Sequence, residues 1–232
     1  MRTATPPVDR RRRRRRETIE EALDVALQVM AEQGVAGLSL GEVARRMGIR
    51  PPSLYVYFDS KNALYDAIFA RGWRALDSVM QAVVLPEPGV PEPGVPEPGH
   101  SGGADVRGYL LRHARTFVRW SVEHPAYAQL MFWRPVPGYE PSPEAYTPAE
   151  RVVEQGRAAL AALRQQGAFR ADADVDELLR AWTSVIAGVI SQQLANAPRE
   201  SFEGGRFTTL LPQLVEMFVA HYTQRHTAEE LP

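Results

Sequence analysis

Residues 39–61 contain two short helical patterns joined by a glycine, and this arrangement constrains the fold more than any other part of the chain. Ser39 and Glu42 have the spacing of a capping box, in which a hydroxyl and a carboxylate bind the free N–H groups that begin a helix. Gly48 follows the last turn, at the position where a left-handed residue ends a helix at low cost. Pro51 and the proline after it can begin the next helix, because first-turn N–H groups have no partner within a helix. The sequence therefore predicts a helix-turn-helix.

The second helical pattern has an inner face and a compact outer face. At about 100° per residue, Leu54 and Phe58 fall on one side, where we expect them to anchor the helix in a core. The rest of the surface carries small side chains, two tyrosines and basic residues at its ends: Arg50, Pro52, Ser53, Tyr55, Val56, Tyr57 and Lys61. Small groups can approach base edges in a major groove, while Tyr, Lys and Arg bind phosphate oxygens. The alternative is an ordinary helical hairpin whose tyrosines pack half-inside.

This segment resembles the DNA-binding signature of the TetR (tetracycline-repressor) family, which reads roughly L-Y-x-Y/H-F-x-S/N-K. The same pattern runs here from Leu54 to Lys61, after a hydrophobic–Gly–hydrophobic turn at 47–49, and the resemblance covers about residues 17–70. The positions that usually touch DNA in that family are occupied here by Ser39, Arg50, Pro51, Pro52, Ser53, Tyr55, Tyr57 and Lys61. Pro51 stands where Lys, Gln or Ser is commoner, and it offers no hydrogen bond to a base.

The resemblance also implies a fold and an assembly. The expected fold is all-α, with an N-terminal three-helix helix-turn-helix DNA-binding domain and a C-terminal helical domain for ligand binding and dimerisation. Members of the family bind a pseudopalindromic operator as homodimers and change or release it when a small molecule occupies the C-terminal domain. The expected partners are therefore double-stranded operator DNA, a small-molecule effector and a second copy of the chain.

Composition is compatible with this class of protein. The chain has 232 residues, of which 44% are hydrophobic and 24% charged, enough for one compact core and a small appended domain. The absence of cysteine excludes disulfides and thiolate zinc sites. No apolar run approaches the roughly 18 residues that would span a membrane, and the basic N-terminus precedes an amphipathic helix, unlike a signal peptide. The sequence predicts a cytoplasmic bacterial protein that does not enter a membrane.

Charge is distributed unevenly along the chain. Residues 1–74 carry a net charge of +5 and residues 75–232 carry −6, although the whole chain has a net charge of only −1. This asymmetry is typical of a protein that meets a polyanion at one end.

Seven consecutive arginines at 10–16 precede the first predicted helix. We interpret residues 1–16 as a disordered basic arm that follows the DNA backbone or enters a narrow minor groove. The alternative is an inert tail, since 26 of the 27 basic residues are Arg and the run therefore also reflects a bias in composition.

Helical periodicity continues beyond the helix-turn-helix. The sequence predicts helices at 17–33, 60–84, 105–123, 126–133, 147–166, 174–197 and 206–225. The repeat PEPGV-PEPGV-PEPG belongs to a Pro/Gly insertion at 86–103, which we interpret as a surface spacer. The alternative is a recognition segment for a proline-binding partner. The predicted domains are the arm at 1–16, the helix-turn-helix domain at 17–62, and the ligand-binding and dimerisation domain at 63–232.

The last two predicted helices are apolar around more than one face. A single face would serve the core of the chain, so a wider apolar stripe indicates a second partner. The sequence predicts a two-fold dimer through both helices, with an interface at Val185, Ile186, Val189, Leu214, Phe218 and Tyr222. A monomer with thick core helices is the alternative.

Aromatic residues are concentrated at 109–133. Four of them share one face of a predicted helix, and His113 among them could orient a bound molecule. We predict that the wall of an effector pocket is formed by Tyr109, His113, Phe117, Trp120, Tyr127, Met131, Trp133 and Trp182. The alternative is an ordinary hydrophobic core. The C-terminal half also resembles a family branch with a Trp-x-x-x-x-His-Gly signature, in which Trp182 and Gly188 fit and Ala187 replaces the histidine.

Catalytic motifs are missing from the sequence. None of the five histidines lies in a His-Glu-x-x-His spacing, and the chain has no glycine-rich phosphate loop, nucleophile elbow or thiol. The sequence predicts no enzyme, no metal site and no cofactor. It predicts a one-component transcriptional regulator, a repressor released from a palindromic operator by a small apolar or aromatic effector. An activator and a protein-binding adaptor are the alternatives.

Overall fold

The structure, a computed structural model, describes residues 7–86 and 105–223. This part of the chain is helical and contains no strand, which confirms the predicted all-α class. Its helices are α1 (Pro7–Gln33), α2 (Leu40–Arg46), α3 (Pro51–Leu54), α4 (Lys61–Met80), α5 (Val106–Glu123), α6 (Pro125–Phe132), α7 (Pro143–Gln165), α8 (Val175–Asn196) and α9 (Leu211–Thr223). None of the helices described here is long and apolar enough to cross a membrane.

Helix α1 begins ten residues earlier than predicted, so the disordered arm is a wrong prediction over residues 7–16. Arginine is a good helix former, and adding turns to an existing helix is cheap compared with starting a new one. Local bonds also hold these turns, since Arg13 Nε donates to Glu17 Oε1 at 2.7 Å and Thr18 Oγ1 donates to the Arg14 carbonyl at 3.0 Å. Residues 1–6 lie outside the described part of the chain.

The helix-turn-helix begins and turns where the sequence predicted. Ser39 Oγ accepts a hydrogen bond from the Glu42 N–H at 3.2 Å and caps α2. The Glu42 carboxylate binds Arg45 and Arg46, so the structure forms one half of the capping box. Gly48 has a φ of 67°, which is the left-handed conformation expected at the turn. Helix α3 is short, and a turn carries the chain from its end to Phe58.

The chain divides into two compact units, and their boundary differs from the one predicted after residue 62. The first unit comprises the described residues up to Trp73 together with His124–Pro148. Helix α6 packs against α1 in this unit, and a Cβ built at Gly72 would lie 2.6 Å from both Met131 Sδ and Tyr127 Cδ1. This close approach of α4 and α6 explains why the later segment belongs with the helix-turn-helix.

The second unit comprises the described residues of Arg74–Glu123 and Ala149–Pro232. Helix α5 packs against α8 and α9, and α8 also contacts α9. The ring centroids of Trp182 and Phe218 are 5.1 Å apart at the centre of this packing, and those of Phe218 and Tyr222 are 4.9 Å apart. The second unit therefore has an aromatic core between three long helices.

This packing corrects the predicted dimer interface. Ile186, Val189, Phe218 and Tyr222 are buried within the single chain, so the prediction is wrong for these four side chains, while Val185 and Leu214 are half-buried. The apolar faces that indicated a partner protein are covered within the chain, where α5, α8 and α9 pack together. The exposed residues of this region are different ones, and they include Ala187, Gly188, Leu210 and Met217.

Three further helix limits differ from the prediction by four residues or more. Helix α9 begins at Leu211, where residue 206 was expected. Helix α4 ends at Met80, where residue 84 was expected. Helix α7 begins at Pro143, because Ser142 Oγ accepts a bond from the Ala145 N–H at 3.2 Å and serves as the cap. The predicted start at Thr147 is wrong, since Pro148 lies inside the helix. Within the predicted Pro/Gly insertion, residues 87–103 are outside the described part of the chain.

Candidate nucleic-acid interface

Helix α3 and the turn after it expose one face and bury the other. Leu54 and Phe58 are 0% and 4% exposed, which confirms that these two side chains anchor the helix in the core of the first unit. Tyr55 and Val56 are 51% and 67% exposed. An exposed phenol and an exposed isopropyl group on adjacent residues are unusual for a helix that only completes a core.

Most of the predicted DNA-binding positions surround this exposed face. Tyr57 is half-buried, and the positions that are exposed are Ser39, Arg50, Pro51, Pro52, Ser53 and Tyr55. Lys61 differs, because its Nζ donates to the Ala36 carbonyl at 3.0 Å and lies 5.4 Å from the centroid of the Tyr65 ring. The expectation that Lys61 is a simple outward-facing residue is therefore wrong. Its ammonium also ties α4 to the turn that precedes α2.

Two arginines of α2 add little to the positive charge of this face. Arg46 binds the carboxylates of both Glu42, at 2.7 Å, and Glu32, at 2.6 Å, and Arg45 binds Glu42 at 2.7 Å. Hydrogen bonds from Arg45 and then Arg46 lower the pKa of Glu42 to about 2. The positive charge near α3 therefore comes from Arg50 and from the arginines of α1, which sequence reasoning had assigned to a separate arm.

The support beneath the helix-turn-helix includes the segment after α6. The Tyr65 hydroxyl donates to the Val35 carbonyl at 2.7 Å, and the rings of Tyr65 and Tyr139 are 5.1 Å apart. Asp66 Oδ1 accepts hydrogen bonds from the Tyr139 hydroxyl, at 2.9 Å, and from the Ser142 N–H, at 3.2 Å. Burial and the Asp66 carboxylate raise the pKa of Tyr139, so this hydroxyl keeps its proton and its role as a donor.

Four of the predicted effector-binding residues meet in the second unit. His113 lies between Tyr109 and Phe117 on α5, with centroid distances of 6.2 and 6.3 Å, and Trp182 Nε1 donates to His113 Nδ1 at 3.3 Å. Burial lowers the pKa of His113 to about 4, so its ring is neutral near pH 7 with the proton on Nε2. The ring side chains of His113 and Phe117 keep a partly exposed edge.

The remaining predicted effector-binding residues do not all join this cluster. Trp120 is buried in the second unit, whereas Tyr127, Met131 and Trp133 belong to the first unit. The Tyr127 hydroxyl accepts a bond from Arg71 Nε at 2.7 Å, and Arg71 also pairs with carboxylates of α1. Tyr127 therefore helps to hold α1, α4 and α6 together, a role that its aromatic neighbours in the sequence did not indicate.

Comparison with known proteins agrees with this architecture. Residues 22–68 match the family described as bacterial regulatory proteins, tetR family. Residues 110–216 match the family described as tetracyclin repressor-like, C-terminal domain. The first match contains α2, α3 and the turn between them, and the second contains α8 and most of α5.

Individual relatives cover different shares of the chain. The HTH-type transcriptional regulator Rv1816 of Mycobacterium tuberculosis is 30% identical over 168 residues, which span 71% of this chain and 65% of that protein. The solved structure of the regulatory protein SCO4313 superposes with a TM-score of 0.67 at 23% identity, covering 93% of this chain and all of the other. FadR from Bacillus subtilis, solved in complex with stearoyl-CoA, gives a TM-score of 0.63 at 13% identity over 87% of this chain and 97% of that one. The last two likenesses establish a shared fold. The two family matches, at residues 22–68 and 110–216, show that the chain belongs to the TetR family of bacterial regulatory proteins.

Proposed function

We propose that the protein is a DNA-binding transcriptional regulator, a repressor, whose α3 enters the major groove of an operator. The observation that carries this proposal is the exposed face of α3, which presents Ser53, Tyr55 and Val56 above the buried anchors Leu54 and Phe58. A short helix held rigidly from below can place compact side chains against base edges. Arg50 at its start and Tyr55 at its margin suit contacts to phosphate oxygens.

The Tyr55 hydroxyl is expected to donate to a phosphate, so Tyr55→Phe should weaken DNA binding about tenfold. The fold should not change, because half of this side chain is exposed. The measurement is a fluorescence-anisotropy titration with duplexes from the region upstream of the protein's own gene, together with circular dichroism of both proteins.

A matched control for this change is Tyr146→Phe, which removes the hydroxyl of another exposed tyrosine of the same unit. It should leave the affinity unchanged. Equal affinities for the wild type and Tyr55→Phe would contradict the proposed phosphate contact. A wild-type protein that binds no duplex at low salt would contradict the whole proposal and favour the protein-binding adaptor.

We also propose that a small apolar or aromatic effector binds at the aromatic cluster formed by Tyr109, His113, Phe117 and Trp182. The His113 ring lies 6.2, 6.3 and 5.8 Å from the rings of Tyr109, Phe117 and Trp182, and the neutral imidazole supplies one N–H donor that could orient a ligand. His113 and Phe117 are half-buried, whereas Tyr109 and Trp182 are buried.

His113→Phe should abolish release of DNA by the effector while DNA binding itself persists. Phenylalanine keeps an aromatic ring between Tyr109 and Phe117 but removes the polar atoms of the imidazole. The measurement is release of a bound duplex by a panel of fatty and aromatic compounds, with the exposed His221→Phe as a control in the same unit. Release that survives in His113→Phe would place the effector elsewhere.

A homodimer completes the proposal, because a palindromic operator has two half-sites and each needs its own copy of α3. Leu210, just before α9, is 44% exposed, and Met217 on α9 is 67% exposed. Ala187 and Gly188 are exposed on α8. These exposed residues, rather than the buried residues first predicted, are the proposed contacts. Equilibrium sedimentation tests the assembly, and a monomer at every loading concentration would contradict it.

A further inference from the structure

The arginine run of α1 has a definite face toward α3. Four of its residues, Arg10, Arg11, Arg14 and Arg15, line an open cleft of about 480 Å³ whose other wall is formed by Val56 and Tyr57. These four positions recur with helical spacing, whereas Arg12 and Arg16 fall on the opposite side of α1. A disordered tail would make no such distinction among its arginines.

Arg15 fixes this end of α1 against the turn that follows α3. Its Nη1 donates to the Val56 carbonyl at 3.4 Å, and its Cζ lies 5.1 Å from the centroid of the Tyr57 ring. Carbonyls at the end of a helix are left without partners inside it, and a cation there is favourable. The contact therefore places the preceding arginines beside α3 instead of leaving them on a separate arm.

The lining of the cleft is rich in cations. Among the residues whose side chains the structure describes, those that line it are four arginines, one valine and one tyrosine, with no carboxylate. Arginines spaced four apart on a helix repel one another, so the run is stabilised when an anion binds between them. The planar guanidinium fork matches the oxygen atoms of a phosphate group and can bind two of them at once.

We propose that this cleft binds phosphate groups of the DNA backbone next to the bases that α3 contacts. The inference rests on the proposed function and adds to it a second phosphate-binding element, built from one face of α1 and the end of α3. The cleft shares Val56 and Tyr57 with the exposed surface of α3, so duplex DNA is the polyanion that reaches both surfaces together. Arg10 and Arg14 supply the charges, and Arg15 positions them.

The test compares two double variants of the full chain that each remove two charges spaced four residues apart. Arg10→Gln with Arg14→Gln alters the cleft, and Arg12→Gln with Arg16→Gln alters the opposite face of α1. Affinity for a fluorescein-labelled duplex of mixed sequence is measured over a series of KCl concentrations. Because each phosphate contact contributes about 0.9 to the slope of log K against log salt, the cleft variant should lower the slope by about 2. The opposite-face variant should barely change it.

The outcomes separate this inference from the proposed function. If the wild type binds the duplex and both variants lower the slope equally, the run acts through net charge and the cleft proposal is overturned. If the wild type binds no duplex at low salt, the proposed function fails as well. Circular dichroism of both variants checks that α1 remains helical. Binding to anionic lipid vesicles is measured as well. If the cleft variant weakens vesicle binding as much as it weakens duplex binding, the proposal is also overturned.

Discussion

Leu54→Ala is expected to destabilise the first unit by about 3 kcal/mol and to abolish DNA binding. Leu54 is fully buried, and the hydrogen bonds from the Tyr57 and Phe58 N–H groups to its carbonyl hold the turn that carries the exposed face. Removing its side chain leaves a cavity beneath a helix of only four residues, whose position sets the exposed face. Urea unfolding followed by circular dichroism measures the stability, and anisotropy with a duplex measures the binding.

Val56→Ala is the matched control, since Val56 lies two residues away and is 67% exposed. It should change the free energy of unfolding by less than about 0.5 kcal/mol. If Leu54→Ala were as stable as this control, Leu54 would not anchor α3. The assignment of the exposed face of α3 as the DNA-binding face would then be wrong.

The helix-turn-helix could be predicted because short-range interactions determine it. The Ser39 cap and the left-handed Gly48 each involve residues close together in the sequence. The alternation between the buried Leu54 and Phe58 and the exposed Tyr55 and Val56 follows from helical geometry once the helix has begun. Local preference and tertiary packing agree in this segment, so the sequence pattern was sufficient.

The wrong predictions for the starts of α1 and α7 have a different origin. Arg-rich turns and Pro148 both suggested a break, yet α1 extends through the first and α7 through the second. A basic run resembles a disordered arm by composition, but its residues favour a helix when α1 already provides a nucleus. Pro148 looked like a first-turn residue, but Ser142 supplies an earlier cap. In both cases the interaction that sets the start of the helix, an existing helical nucleus in α1 and the Ser142 cap in α7, was not visible in the composition alone.

Contacts between distant segments were the least predictable feature. An apolar stripe indicates that a face is covered but does not say by what, so Ile186 and Phe218 were assigned to a partner although both are buried within the single chain. The role of Tyr127 as a partner of Arg71 depends on α6 reaching α4, which no spacing in the sequence encodes. The proposed function depends less on these contacts, because it rests mainly on α3.

A buried glutamine in α8 illustrates a residue that sequence reasoning missed. Gln193 is fully buried, and its Nε2 donates to the Ala197 carbonyl at 2.8 Å while its Oε1 accepts from the Phe207 N–H at 3.0 Å. These bonds close the connection between α8 and α9. A glutamine in an amphipathic helix normally indicates the solvent-exposed face, so the pattern gave no signal for this role.

Gln193→Leu is therefore expected to lower the free energy of unfolding of the second unit by about 2 kcal/mol. Leucine has a similar volume, but it leaves the Phe207 N–H without its acceptor, and such a loss costs about 1–3 kcal/mol. The Ala197 carbonyl loses one of its two hydrogen bonds and keeps the one from the Glu200 N–H at 3.1 Å. The connection between α8 and α9 should loosen, and thermal unfolding followed by circular dichroism should begin several degrees lower.

The adjacent Gln192 provides the control for this substitution. It is exposed, and its Oε1 accepts a bond from Asn196 on the surface of the same helix. Gln192→Leu should therefore change stability by no more than about 0.5 kcal/mol. Because the two positions are neighbours in one helix and undergo the same substitution, the difference in helix propensity cancels in the comparison. A difference near zero between the two variants would mean that the buried amide does not hold the connection between α8 and α9, whereas the expected difference assigns that role to its two hydrogen bonds.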